Sequence, residues 1–230
     1  MSAELSNNSL INKKVIFEAN AFRRVPIHLG AKIDFLPDGT LLLTSGDGFD
    51  YKEQAQSLNN HFGKIIRLNK DGSVPSDNPF VDIPNALPEI FSYGHRNMQG
   101  LVVMEDGRIF EHEHGPRGGD EFNLIEPGKN YGWPAITYGI DYSGAVISPF
   151  TKMDGMEQPL KYWVPSIAPS DMIYYDGDLY PELKNSFLVT ALKSRDVKKI
   201  KKINSLFSEE SIFSSLKSRL RSIGISPSGE

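Results

Sequence analysis

The stretch Ile33-Asp34-Phe35-Leu36-Pro37-Asp38-Gly39-Thr40-Leu41-Leu42-Leu43 reads as two short apolar strands joined at Asp38-Gly39. Glycine, and aspartate more readily than most residues, tolerates the positive φ of the tightest hairpin turns, so the two runs are expected to pair antiparallel. The same pattern returns around Asp71-Gly72, in Leu101-Val102-Val103-Met104-Glu105-Asp106-Gly107-Arg108-Ile109-Phe110, and in Met172 to Tyr180 before Phe187-Leu188-Val189-Thr190. A last copy, Ile223-Gly224-Ile225-Ser226-Pro227-Ser228-Gly229, is cut short, which suggests truncation. Repeated hairpins with long Gly- and Pro-rich connections predict an all-β chain, a β-propeller of four-stranded antiparallel blades. At about 40 to 50 residues per blade, the 230 residues predict about four or five. The spacing is irregular, and a β-sandwich would answer the same pattern. Lys199-Ile200-Lys201-Lys202-Ile203-Asn204, followed by Leu206 to Phe213, departs from it. Its basic run reads as a solvated strand or loop face, because it lacks the interleaved aromatics on which nucleic-acid bases stack.

Composition narrows the function classes. A hydrophobic content of 39% with 10% aromatics can fill a core and is not that of a disordered chain. A net charge of -4 gives no overall attraction to nucleic acid or anionic membrane. Cysteine is absent, which removes disulfides, thiolate catalysis and cysteine zinc sites and leaves the redox compartment open. Any metal must be held by His, carboxylate or carbonyl groups. Met1-Ser2-Ala3-Glu4-Leu5 shows no signal-peptide pattern, and no apolar run is long enough to span a bilayer.

Several segments concentrate chemistry. His28 precedes the first hairpin and Asp47 follows it, so the returning strands are expected to bring them together, with Asp47 holding one ring nitrogen and making His28 a directed base. A structural histidine at a turn is the competing reading. Ser92-Tyr93-Gly94-His95-Arg96-Asn97-Met98-Gln99-Gly100 offers the donor fork of Arg96 and the amide of Asn97, suited to an oxygen that gains negative charge or to an ordinary turn network. In His114-Gly115-Pro116-Arg117-Gly118-Gly119-Asp120-Glu121 an irregular loop can turn carbonyls inward, as a hard cation requires; Glu121 and Tyr131 suit a second such site or an acidic turn. His112-Glu113-His114 lacks a third ligand at a suitable spacing for a transition metal. Lys193 ends an apolar strand, and Arg219-Leu220-Arg221 places two guanidiniums on one strand face. Three cations aimed at one point call for a polycarboxylate or phosphate ligand; taken singly they are surface charges.

Together, Gly94-His95-Arg96-Asn97-Met98-Gln99-Gly100-Leu101, His114 to Glu121, Asn130-Tyr131-Gly132-Trp133-Pro134 and Trp163-Val164-Pro165-Ser166-Ile167-Ala168-Pro169-Ser170 resemble the pyrroloquinoline quinone-dependent aldose sugar dehydrogenases, the soluble glucose dehydrogenase family. The resemblance runs from about His28 to the end of the chain. It implies a six-bladed propeller, partial here over residues 25–230, after a poorly matched, polar and strand-poor segment 1–24. It further implies that His28 is the base, Asp47 its orienting partner, and Arg96 and Asn97 donors to the quinone, with Tyr142, Lys193, Arg219 and Arg221 as further quinone-binding residues. Backbone carbonyls of Gly115 and Pro116 would hold a catalytic calcium, Glu121 and Tyr131 a structural one, and Trp163 would wall the sugar unless it is a core tryptophan. An aldose would be oxidised to a lactone; the electron acceptor is open, the protein a monomer or homodimer without nucleic-acid partner, and the location periplasmic or secreted. The family's N-terminal glutamine loop has no counterpart here, and the acid that follows Arg-x-Arg in relatives is Ser222. A calcium-dependent lactonase-like propeller and a non-catalytic carbohydrate- or protein-binding propeller are the rival readings.

Overall fold

The computed structural model describes residues 1–204 and 206–230. It contains fourteen strands and two short 3-10 turns. A polar hairpin, β1 (Ser2–Ser6) and β2 (Ser9–Lys14), precedes three four-stranded antiparallel meanders. Sheet one is β3 (Gly30–Phe35), β4 (Leu41–Ser45), β5 (Lys64–Leu68) and β6 (Ile90–Tyr93); sheet two is β7 (Met98–Val103), β8 (Ile109–Glu113), β9 (Asp120–Ile125) and β10 (Lys161–Trp163); sheet three is β11 (Pro169–Tyr175), β12 (Ser186–Ala191), β13 (Val197–Ile203) and β14 (Leu206–Ile212). Strands β3, β7 and β11 pack against one another in order, so the sheets succeed each other like blades around an axis.

Alternation along each strand supplies both faces of a blade. Leu42 and Ile65 turn toward sheet two, where they meet Met98, Leu101 and Ile109, while their neighbours Leu41 and Ile66 face the other way, onto Ile16 and Phe17. Phe187 and Val189 likewise pack with Phe110, Phe122 and Trp163 between sheets two and three, and Leu188 covers Leu220 and Ile223 on the far side. Face-to-face packing of successive sheets is thus written into the strand period.

Three expectations are corrected. The described residues form three complete four-stranded sheets rather than four or five, because long connections such as 126–160 carry no strand. Segment 1–24 is not strand-poor: Asn7 and Asn8, at φ 47° and 61°, make the tight turn of the β1–β2 hairpin. The Arg219-Leu220-Arg221 element is not a strand but an irregular segment pinned where Ser170 Oγ donates to Leu220 O at 2.6 Å. The basic run lies on β13, and its outer partner β14 supplies Glu210 to Lys199.

Candidate active site

Each sheet opens its first hairpin at the same end, and the site is built from the residues just beyond those openings. Gly30 pairs with Ser45, Met98 with Glu113, and Pro169 with Ala191. Two residues outward from these pairs stand His28 and Asp47 in sheet one, Arg96 and Gly115 in sheet two, and Ile167 and Lys193 in sheet three. Four residues expected in the site therefore occupy the mouths of two adjoining blades, with Lys193 on the third.

In sheet one, His28 Nδ1 lies 2.7 Å from Asp47 Oδ1. A carboxylate can only accept, so Nδ1 carries the proton and Nε2 is left as the basic nitrogen. Asp47 is buried and also accepts from Phe49 N at 2.9 Å and from the indole Nε1 of Trp133 at 2.8 Å. His28 adopts φ 51°, and its carbonyl lies so close to Gly46 that a Cβ there would meet it at 2.2 Å. Glycine at 46 is what lets the two strand ends close on each other.

In sheet two, Arg96 is 4% exposed and donates from Nη1 to His114 O at 2.9 Å and Gly115 O at 2.8 Å. Its guanidinium carbon sits 5.2 Å from the Trp133 ring and 5.9 Å from the Tyr142 ring. Glu113 Oε2 accepts from the backbone N–H groups of Arg96 and Asn97, and Arg96 O accepts from Asp47 N at 2.7 Å, locking the two blade mouths together. A cleft of about 220 Å³ results, with His28, Asp47, Phe49, Arg96, Pro116, Trp133 and Tyr142 among its lining residues.

Not every expected residue reaches this cleft. The Asn97 side chain turns aside to Gln99, whose Nε2 donates to it at 3.0 Å. Lys193, Arg219 and Arg221 are exposed outside the cleft lining, on the sheet-three side, near Pro169, whose carbonyl lies 2.6 Å from His114 Nε2. Trp163, expected as a sugar wall, is instead a core residue between sheets two and three and donates from Nε1 to Glu209 at 2.8 Å. Phe49 and Trp133 were not anticipated as cleft residues; Trp133 was visible only as part of the Asn130 to Pro134 motif.

Two observations bear on the implied groups. Among the described residues Lys193, Arg219 and Arg221 form no ion pair, and the buried Nε of Arg96 has no acceptor, so a ligand bearing several carboxylates suits this end of the molecule. One lone pair of Gly115 O is taken by Arg96, which leaves the other for a cation. The second set fits a hard cation through its donors. Glu111, Glu113, Glu121 and Asn123 share one face of β8 and β9; among the described residues Glu111 Oε1 and Asn123 Oδ1 are buried without a hydrogen-bond partner, and His95, Glu111 and Glu113 each offer a ligand atom within 4.8 Å of the others. Burial, then the charge of neighbouring Glu113, holds the Glu111 and Glu121 carboxyls well above the usual range. Glu121 and Tyr131 line one small void, but the Tyr131 hydroxyl donates to Leu124 O at 2.7 Å and accepts from Glu126 N at 2.9 Å, so only its carbonyl could serve a metal.

A family model described as Glucose / Sorbosone dehydrogenase matches residues 1–230. The chain is 40% identical over 193 residues to the aldose sugar dehydrogenase YliI of Escherichia coli (strain K12), a match covering 80% of this chain and 52% of that protein. A crystal structure of a glucose dehydrogenase superposes with a TM-score of 0.94 at 39% identity, covering 99% of this chain and 67% of the other. The pyrroloquinoline quinone-bound aldose sugar dehydrogenase of Streptomyces coelicolor gives a TM-score of 0.66 at 29% identity, over 84% of this chain and 51% of that one. The chain spans about half the length of the curated relatives it matches.

Proposed function

The chain belongs to the Glucose / Sorbosone dehydrogenase family, and on that premise we propose that it oxidises the anomeric hydroxyl of aldoses to lactones with pyrroloquinoline quinone, assisted by calcium. The observation that carries this reading is the His28–Asp47 pair facing the same cleft as Arg96.

The residues divide the work. A hemiacetal hydroxyl is a poor hydride donor until its proton is removed, and Nε2 of His28 would take that proton. Asp47 holds the ring in the tautomer that leaves Nε2 free and steadies the imidazolium that forms. Arg96 is a fixed positive group that needs no reorganisation when charge grows on an oxygen beside it. When bound, the quinone would supply the hydride acceptor and calcium a second fixed positive charge. Arg96 and Tyr142 would hold its ring region, Asn97 would support the same corner through its backbone, and Lys193, Arg219 and Arg221 would meet its carboxylates. Gly115 and Pro116 would offer carbonyls to the catalytic calcium, and Glu121 with the Tyr131 carbonyl would hold the structural one. A lactonase-like reading leaves the three unpaired cations without an anion. A periplasmic or secreted location accompanies the reading through the family resemblance. The protein with quinone and calcium is expected to reduce an artificial dye when given an aldose; quinone binding without aldose-dependent dye reduction would contradict it.

A further inference from the structure

One side chain that touches both halves of the cleft, Trp133, is neither the base nor the anion-facing arginine. Trp133 lies in the long connection between β9 and β10, 86 residues from Asp47 in sequence, and its indole Nε1 donates to Asp47 Oδ2 at 2.8 Å. The face of the same ring lies 5.2 Å from the Arg96 guanidinium. Its backbone is fixed on both sides: Trp133 N donates to Gly94 O at 2.8 Å, and Gln56 Nε2 donates to Trp133 O at 2.7 Å. Gln56 is tied in turn to Asn130, with its Oε1 accepting from Asn130 Nδ2 at 2.8 Å. Its 3-10 turn, Lys52–Gln56, is anchored from below by Lys64 Nζ, which donates to Ala55 O at 2.9 Å and Gln54 O at 3.1 Å.

The consequence follows from counting donors on Asp47. Among the described residues, Oδ1 receives His28 and the Phe49 N–H, while Oδ2 receives only the indole. Asp47 is buried, so losing that one donor leaves a charged oxygen without a partner and frees the carboxylate to rotate away from the imidazole. We propose that Trp133 is a positioning residue, whose indole N–H fixes the Asp47 carboxylate so that His28 presents Nε2 to the cleft while the indole face sets the spacing to Arg96. Its catalytic importance rests on the dehydrogenase reading above; the positioning itself does not.

Trp133→Phe keeps an aromatic face beside Arg96 and removes the N–H. In quinone-free protein, nitrogen NMR of the His28 ring is expected to show one tautomer, protonated at Nδ1, in the wild type and a mixture of both in the variant. With quinone and calcium, kcat for an aldose is expected to fall about tenfold or more, while the quinone Kd and the sugar KM stay within about twofold. An unchanged tautomer overturns the proposal, whether kcat holds or falls, since a fall alone would assign Trp133 to the quinone through Arg96. If the variant does not fold, Asp47→Asn decides: the Trp133 indole proton resonance must move while that of Trp163 stays, and an unmoved Trp133 signal overturns the proposal. A protein that binds no quinone removes the dehydrogenase reading, but the tautomer measurement still stands.

Discussion

The Asp47 corner and the Glu111 face are both buried collections of charge, one at the mouth of sheet one and the other on the flank of sheet two, and they differ in completeness. Asp47 receives three donors from His28, Phe49 and Trp133, so its charge is compensated by the chain itself. Glu111, Glu113 and Glu121 stand together with an orphaned oxygen on Glu111 and another on Asn123, and burial lifts two of the three carboxyls far above their ordinary range. A finished hydrogen-bond set holds a reactive group in one pose, whereas an unfinished set of oxygens awaits protons or a cation. Perturbing the first is therefore expected to change turnover, and perturbing the second to change stability.

The largest expected effect lies in the finished corner. His28→Ala is expected to lower kcat by about 10²–10⁴-fold, with the quinone Kd within about twofold; equal turnover by this variant would remove the proposed base. The unfinished face comes next, and its sign follows from proton linkage. Glu111 and Glu121 have folded-state pKa values above their unfolded ones, so the folded state binds more protons. Their contribution to stability is then largest at low pH and falls as pH rises above the ordinary carboxylate range, until both groups are ionised in the fold. In a chelator, the melting-temperature difference between wild type and Glu111→Gln/Glu121→Gln should follow that trend, and calcium at about a hundred times its Kd should add roughly 2.7 kcal/mol at neutral pH. Glu111→Gln is expected to raise the melting temperature in chelator and to shrink the calcium gain; a calcium response that is absent in wild type would show that the face is completed by protons alone. The smallest effect separates the cleft from the core. Trp163→Phe loses the bond to Glu209, about 1 kcal/mol, and should leave the sugar KM within about twofold; a several-fold rise would return Trp163 to the sugar site.

What the sequence discloses follows the range of the contact. Asp38-Gly39 and Asp106-Gly107 mark two of the three inner hairpins, and once a hairpin is granted, residues flanking its open end must meet; His28 with Asp47 was legible for that reason. Lys193 likewise follows from the end of β12. Trp133 was not legible as a partner of Asp47, because nothing local says that an irregular connection folds back onto the neighbouring blade. Trp163 shows the converse: its place in a family motif drew attention, while its ring packs in the core and its indole N–H is spent on Glu209 of the outer strand β14. The blade count came out high because a nominal repeat length takes no account of connections such as 126–160, which spend residues without adding strands. The β1–β2 hairpin was missed because its flanks are polar and its turn is Asn7-Asn8, which supports the same positive φ as the Asp-Gly pairs without their signature.

The proposed function requires a tricarboxylate ring to span from His28 and Arg96 to Lys193, Arg219 and Arg221 beside sheet three. It is tested most directly by titrating the protein with pyrroloquinoline quinone under calcium, followed by absorbance, in wild type and in Arg219→Gln/Arg221→Gln. Expected is saturable one-to-one binding that the double variant weakens by about tenfold or more and that a chelator also weakens. Wild-type protein that binds no quinone, or a double variant that binds it as tightly as wild type, would contradict the claim.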